Sequence, residues 1–250
     1  MRRIGIVGIF AMLVLGMTAG AWAQAPADKA AAPAPTVDEI LDRYVKALGG
    51  KEAIQKLTSR VARGDFEIPD QGAAGSVEIF SKAPNKRGLT ITIDGFGEIK
   101  QAFNGTIAWA DNPQAGYREL SGAELENQKR NSDFYQALRF KELFAKLTAG
   151  GIQKAGDRDA WLLEADTGSG KPQKYFFDAE THLLIRVETE RESPMGGTMT
   201  IQTFLDDYKV YDGVKVATTI RQVNPQFTSI MRLKEVQHNV AVDDVRFDKP

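Results

Sequence analysis

The chain has 250 residues, with 32 Lys and Arg against 33 Asp and Glu and no cysteine. A formal net charge of −1 gives no basic footprint for nucleic acid, and the absent thiols exclude cysteine nucleophiles, Cys-based metal sites and disulfides. Stability must come from burial, for which the length provides one large domain with a full core.

Arg2 and Arg3 precede an apolar run from Ile4 to Thr18, and Ala21-Trp22-Ala23 has the small-x-small pattern of a cleavage site. Residues 1–23 therefore read as a signal peptide cleaved after Ala23, which sends a soluble chain to the periplasm. A membrane anchor fits less well, since the run is short and carries Gly5, Gly8 and Gly16, whereas a span needs about 20 apolar residues. A lipid anchor would need a cysteine at the cleavage point. Residues 24–35 (QAPADKAAAPAP) have no apolar periodicity and read as a disordered linker, and residues 36–250 as a single domain.

Thr36 and Glu39 have capping-box spacing, and Val37, Ile40, Leu41, Tyr44 and Leu48 make one apolar helix face that Gly49-Gly50 stops. Lys51 to Leu57 adds a short helical stretch. From Ser59 the period changes to two, which predicts about ten strands. Asn104-Gly105 and Asp212-Gly213 suit two-residue turns, and Pro84-Asn85, Asp178 to Thr181 and Met195 to Gly197 suit longer ones. Such short connections make an antiparallel meander. Ser121 to about Phe134 reads as an inserted helix with Ser121 and Glu124 as a second capping box. Leu138 to Thr148 fits either state, with strand favoured from about Leu143. The class is α+β. A sheet of this length must curl or close, and the helices can cover its concave face.

Catalytic signals are sparse. His182 lies in a turn and His238 on a solvent-facing strand position, neither with a partner at triad or metal spacing. Gly168-Ser169-Gly170-Lys171 fails as a phosphate loop, with Ala165 at the upstream glycine position and Pro172 at the Ser/Thr position, and no G-x-S-x-G occurs. Asp206-Asp207 and Asp243-Asp244 point to opposite faces as strand neighbours, while Asp65 and Glu67 share a solvated face. No catalytic residue, metal or cofactor is expected. The remaining signal is apolar: the inward faces form either a filled core or the lining of a ligand cavity. In the second case Val77, Ile79, Leu89, Ile91, Ile99, Trp109, Trp161, Leu163, Ile185 and Ile201 are the lining, interrupted by Gln101 and Thr203.

The signal peptide, Ala47-Leu48-Gly49-Gly50, the Phe176 to Leu184 hairpin (FFDAETHLL), Phe204 to Val216 (FLDDYKVYDGVKV) and the ending DDVRFDKP together resemble outer-membrane lipoprotein-sorting (LolA-like) proteins over roughly Val37 to Pro250. That resemblance implies a strongly curved antiparallel half-barrel covered on its concave face by helices, and a monomeric periplasmic carrier or binder of a lipid or an acylated lipoprotein. It equally accommodates a sensor or interaction module that docks an inner- or outer-membrane protein. The missing cysteine excludes the lipid-anchored receptors of the family. A functional arginine is also implied, for which Arg63, Arg87, Arg118 and Arg139 stand open.

Overall fold

The computed structural model describes residues 34–168, 170–192 and 197–250, so the expected signal peptide, most of the expected linker and most of the expected 195–197 turn lie outside the described residues. Thr36 caps helix α1, Val37–Leu48, and the reciprocal capping box with Glu39 is present. Gly49 ends it at φ 128°, and a Cβ there would lie 2.1 Å from the carbonyl oxygen of Gly213. The Gly-Gly stop of α1 is thus seated on the Asp212-Gly213 turn. Helix α2, Lys51–Gln55, follows.

Among the described residues thirteen strands come next, more than the periodicity alone predicts. They are β1 Ser59–Ile68, β2 Ala73–Lys82, β3 Lys86–Ile93, β4 Gly97–Phe103, β5 Ala108–Asp111, β6 Arg118–Glu119, β7 Lys146–Ala155, β8 Arg158–Asp166, β9 Gln173–Asp178, β10 Leu184–Glu192, β11 Thr198–Tyr211, β12 Val214–Val223 and β13 Thr228–His238. All pair antiparallel in one open sheet, ordered β6-β5-β4-β3-β2-β1-β13-β12-β11-β10-β9-β8-β7. Two meanders are therefore joined where β1 meets β13, with Arg60 opposite His238.

Between β6 and β7, at opposite edges of the sheet, run α3, Gly122–Ser132, and α4, Gln136–Leu143. Leu138 to Leu143, which the sequence left open, is helix, with Phe140 buried against Phe144, Tyr175 and Phe177, and the strand expected from about Leu143 begins at Lys146. One expectation is corrected here. Ser121 makes no side-chain cap bond, since Glu124 is held instead by Arg118.

These two helices reveal how far the sheet bends. At 1.5 Å per residue they are about 16 and 12 Å long, whereas the edges of a flat 13-stranded sheet would stand about 58 Å apart. Successive residues of α3 also reach strands eight places apart: Gln101 of β4 donates to Gln128 at 2.9 Å, and Gln173 of β9 donates to Asn127 at 2.7 Å. A flat sheet would separate those strands by about 38 Å. Bulges between Arg63 and Gly64, Ala149 and Ile152, and Leu184 and Arg186 add local bend. Gly64 is required at the first, since a Cβ would meet the Arg232 carbonyl oxygen at 1.9 Å.

The sheet has two unlike faces. On one, the chain end packs down: Val61, Phe80, Val242 and Phe247 form a buried cluster, and Trp109 Nε1 donates to the Phe247 carbonyl at 3.0 Å. Around it lie exposed ion pairs, Arg63 with Glu78, Lys234 with Asp65 and Arg232 with Glu67. Asp243 and Asp244 sit in a 3-10 turn rather than a strand, and Lys82 and Lys86 hold the Asp244 carboxyl at about 2. The other face carries the helices.

Candidate ligand-binding face

On the helix face, α1 and α4 pack over β8 to β10, burying Ile40, Leu41, Phe140 and Phe144 against Leu163, Tyr175 and Phe177. Leu48, Ile54 and Leu57 close over Leu183 and Val214, and Leu125 of α3 covers Phe103 and Ala108. The apolar cluster on β1, β2, β3, β12 and β13, centred on Phe66, Val77, Ile91, Leu233 and Val216, takes no residue from any helix. Its neighbours Ile79, Leu89, Ile99, Ile220 and Met231 remain half-exposed. Among the described residues helix cover of this face is therefore partial, and an apolar stretch on it lies open.

Strand register places each expected lining residue. Opposed residues share a face, so Val77 with Ile91 and Ile99, and Ile79 with Leu89 and Gln101, lie on the helix face. Trp161 and Leu163, opposite Phe177 and Tyr175, lie there too, as does Ile201 one alternation from Thr203. Leu163 and Val77 are fully buried, whereas Trp161 is half-buried. Trp109 and Ile185 do not belong with these. Trp109 is opposite Ala102 and points to the face under the chain end, because the four-residue turn of Asn104 resets the register that Ile107 and Trp109 were read by. Ile185 occupies the β10 bulge and packs with Ala155, Leu162 and Phe176 on that same far side. Two grooves on that side, of about 700 and 360 Å³, are lined largely by charged and polar residues such as Asp65, Arg232, Glu78 and Lys100.

At one end of the open stretch, a row of helix-face residues crosses four strands: His238, Arg60, Ser81 and Arg87. Arg60 Nε donates to His238 Nε2 at 2.9 Å, which obliges that nitrogen to accept and puts the ring proton on Nδ1, 3.1 Å from Asp212 Oδ2. The side chain of His238 has no exposed surface. The solvent-facing placement expected for it is therefore corrected. Burial first, then the Arg60 charge, lowers its pKa against the opposing pull of Asp212, so it is neutral at pH 7. His182 lies in the Asp178 turn as expected.

Burial and the neighbouring Arg87 lower the Arg60 guanidinium to about 10, and burial lowers Arg87. Tyr44 of α1, pushed up to about 12 by burial, faces Arg60 from above. The candidate arginines now separate. Arg63 pairs with Glu78 and Glu235, Arg118 with Glu124, and Arg139 with Asp133 and Glu142. Among the described residues Arg87 has no carboxylate partner, and Arg60 bonds only to the neutral histidine. Arg60 was missed in the sequence, where only its place next to Ser59 at the start of β1 was visible. Among the described residues no three His, Asp or Glu side chains gather as a metal site, and no helix is long and apolar enough to cross a membrane.

Three crystal structures align with most of the chain. A DUF1329 family protein from Desulfovibrio piger is 13% identical with a TM-score of 0.54, covering 85% of this chain and 97% of its own. A LolA superfamily protein from Nitrosomonas europaea is 14% identical with a TM-score of 0.53, covering 86% and 99%. The fold is LolA-like. An outer membrane lipoprotein-sorting protein domain from Vibrio parahaemolyticus adds a third case at 14% identity and a TM-score of 0.51, covering 83% and 97%. No family model and no curated protein matches the sequence. The LolA-like likeness is one of fold, carried by the bent sheet and its helices rather than by shared side chains.

Proposed function

We propose that the protein is a periplasmic carrier or binding protein for the acyl chain of a lipid or lipoprotein, with residues 36–250 as one LolA-like domain behind a signal peptide cleaved after Ala23. It works as a monomer by non-covalent binding in an apolar cavity of a half-barrel, without cofactor. One observation carries the reading: the stretch Ile79, Leu89, Ile99, Ile220 and Met231 is half-buried on the helix face of a bent sheet, and among the described residues no helix residue packs against it. An acyl chain laid there leaves water at about 0.8 kcal/mol per buried CH₂, so sixteen carbons gain on the order of 10 kcal/mol before ordering costs. Native mass spectrometry of the protein purified from its own host is expected to detect a co-purifying lipid or acylated species. A polypeptide in its place would favour the docking module, for which the outer edge of β7, with Ile152 54% exposed, offers a free strand.

A further inference from the structure

We propose that Arg60 and Arg87 form an anion subsite at the end of the apolar stretch, which takes the acidic head of an amphiphile, a carboxylate or phosphate, while its chain lies on Ile79, Leu89 and Ile99. The inference rests on the acyl-binding reading and adds the chemical class of the ligand. The two arginines stand on β1 and β3, each opposite Ser81 of the strand between them, so their Cα atoms are about 10 Å apart on one face. The Arg87 charge is felt at Arg60, the residue between them is a small neutral serine, and among the described residues neither guanidinium is paired with a carboxylate. The next helix-face residues along β2 and β3 are Ile79 and Leu89, so cation and apolar surface adjoin without a break.

The electrostatics point the same way. Two like charges on a desolvated surface cost stability unless an anion joins them, and each arginine here is already depressed by burial, Arg60 also by Arg87. Arg60 is not idle: the Asp212–His238 pair fixes its Nε and leaves both terminal nitrogens free for the forked contact that suits a carboxylate or phosphate. Both residues are largely buried yet keep part of their surface exposed, the opening by which a ligand would reach them.

The test compares cis-parinaric acid, its methyl ester and inorganic phosphate as probes of the purified full-length mature chain, with the polyene fluorescence reporting burial of the tail. The acid is expected to bind 10- to 100-fold more tightly than the ester, the gain of charge-assisted hydrogen bonds. Arg60→Gln with Arg87→Gln is expected to erase that preference while ester affinity stays put. Arg87→Lys retains part of it, and Arg118→Gln retains all of it. Ester binding by the doubly substituted chain doubles as evidence that it is folded. Equal affinity for acid and ester in the native chain overturns the subsite and leaves the acyl reading standing. Binding of neither lipid overturns both. Phosphate binding as tightly as the acid, with the same dependence on the two arginines, overturns the amphiphile in favour of a free anion.

Discussion

The two faces of this sheet are built from the same strands with the same alternation, yet only one is finished. Under the chain end, Phe247 is fully buried among Val61, Phe80 and Val242, the Trp109 indole bonds to a carbonyl, and the charges around them have partners. On the helix face the helices close both flanks but leave Leu89, Ile79 and Ile99 half-buried, and among the described residues Arg60 and Arg87 have no carboxylate partner. A buried apolar residue needs neighbours on every side, whereas a binding surface keeps a side unfilled. On the proposed reading, the contrast between closed and open faces is one between stability and function.

The largest expected effect tests that division of labour. Phe247→Ala empties a site with no exposed surface and is expected to cost about 3–5 kcal/mol in denaturant unfolding. Leu89→Ala, on the open stretch, is expected to cost less, about 1–2 kcal/mol, because part of that side chain already meets water. Comparable costs at the two positions would mean that the inner face is a filled core. Ile79→Glu sharpens the point: a folded protein that no longer takes up acyl ligands is expected, since its carboxylate can stay hydrated at the edge of the stretch.

A smaller signal separates the faces in a single sample. Beyond residues 1–23 the chain has two tryptophans, and they fall on opposite faces: Trp109 is 5% exposed and bonded under the chain end, while Trp161 is half-buried on the helix face. Titration with a long-chain lipid is expected to move the Trp161 emission to shorter wavelength, saturably, and to leave Trp109 unchanged. Trp109→Phe then keeps the response and Trp161→Phe abolishes it. A response from Trp109 would place the ligand on the wrong side of the sheet.

The sequence made the local chemistry legible. The capping box at Thr36, the Gly49-Gly50 stop, the Asp212-Gly213 turn and the period-two strands all rest on residues whose preferences act within a few positions. Face assignment failed at Trp109 and Ile185 because alternation must be counted through a turn or a bulge, and an Asx turn or one extra residue reverses its sign. His238 and Arg60 were illegible for a different reason. They are 178 residues apart and meet only because β1 and β13 join the two meanders, a pairing that no local pattern encodes. Arg87 stood among four candidates, and only the inventory of partners singled it out.

The smallest effect concerns the proton on that network. Buried beside Arg60, His238 is held below the ordinary 6.5 of a histidine. Below about 6.5 the unfolded chain takes up a proton that the folded chain refuses, so the stability this residue confers is complete above 6.5 and is lost as pH falls through its folded pKa. Asp244, paired with Lys82 and Lys86, responds in a different window, between 3.8 and about 2. Unfolding free energies measured from pH 7.5 down to 4.5 are therefore expected to decline in the native chain and to flatten in His238→Gln, whose amide oxygen can accept the Arg60 Nε–H while carrying no titrating group. Protonation also removes the acceptor that orients Arg60, so the preference for an acid head over its ester, which falls in both chains as the head itself takes up a proton, is expected to fall sooner in the native chain than in the variant. An unchanged slope in His238→Gln would show that the ring is not titrating against Arg60, and with it that Arg60 is not oriented from the Asp212 turn.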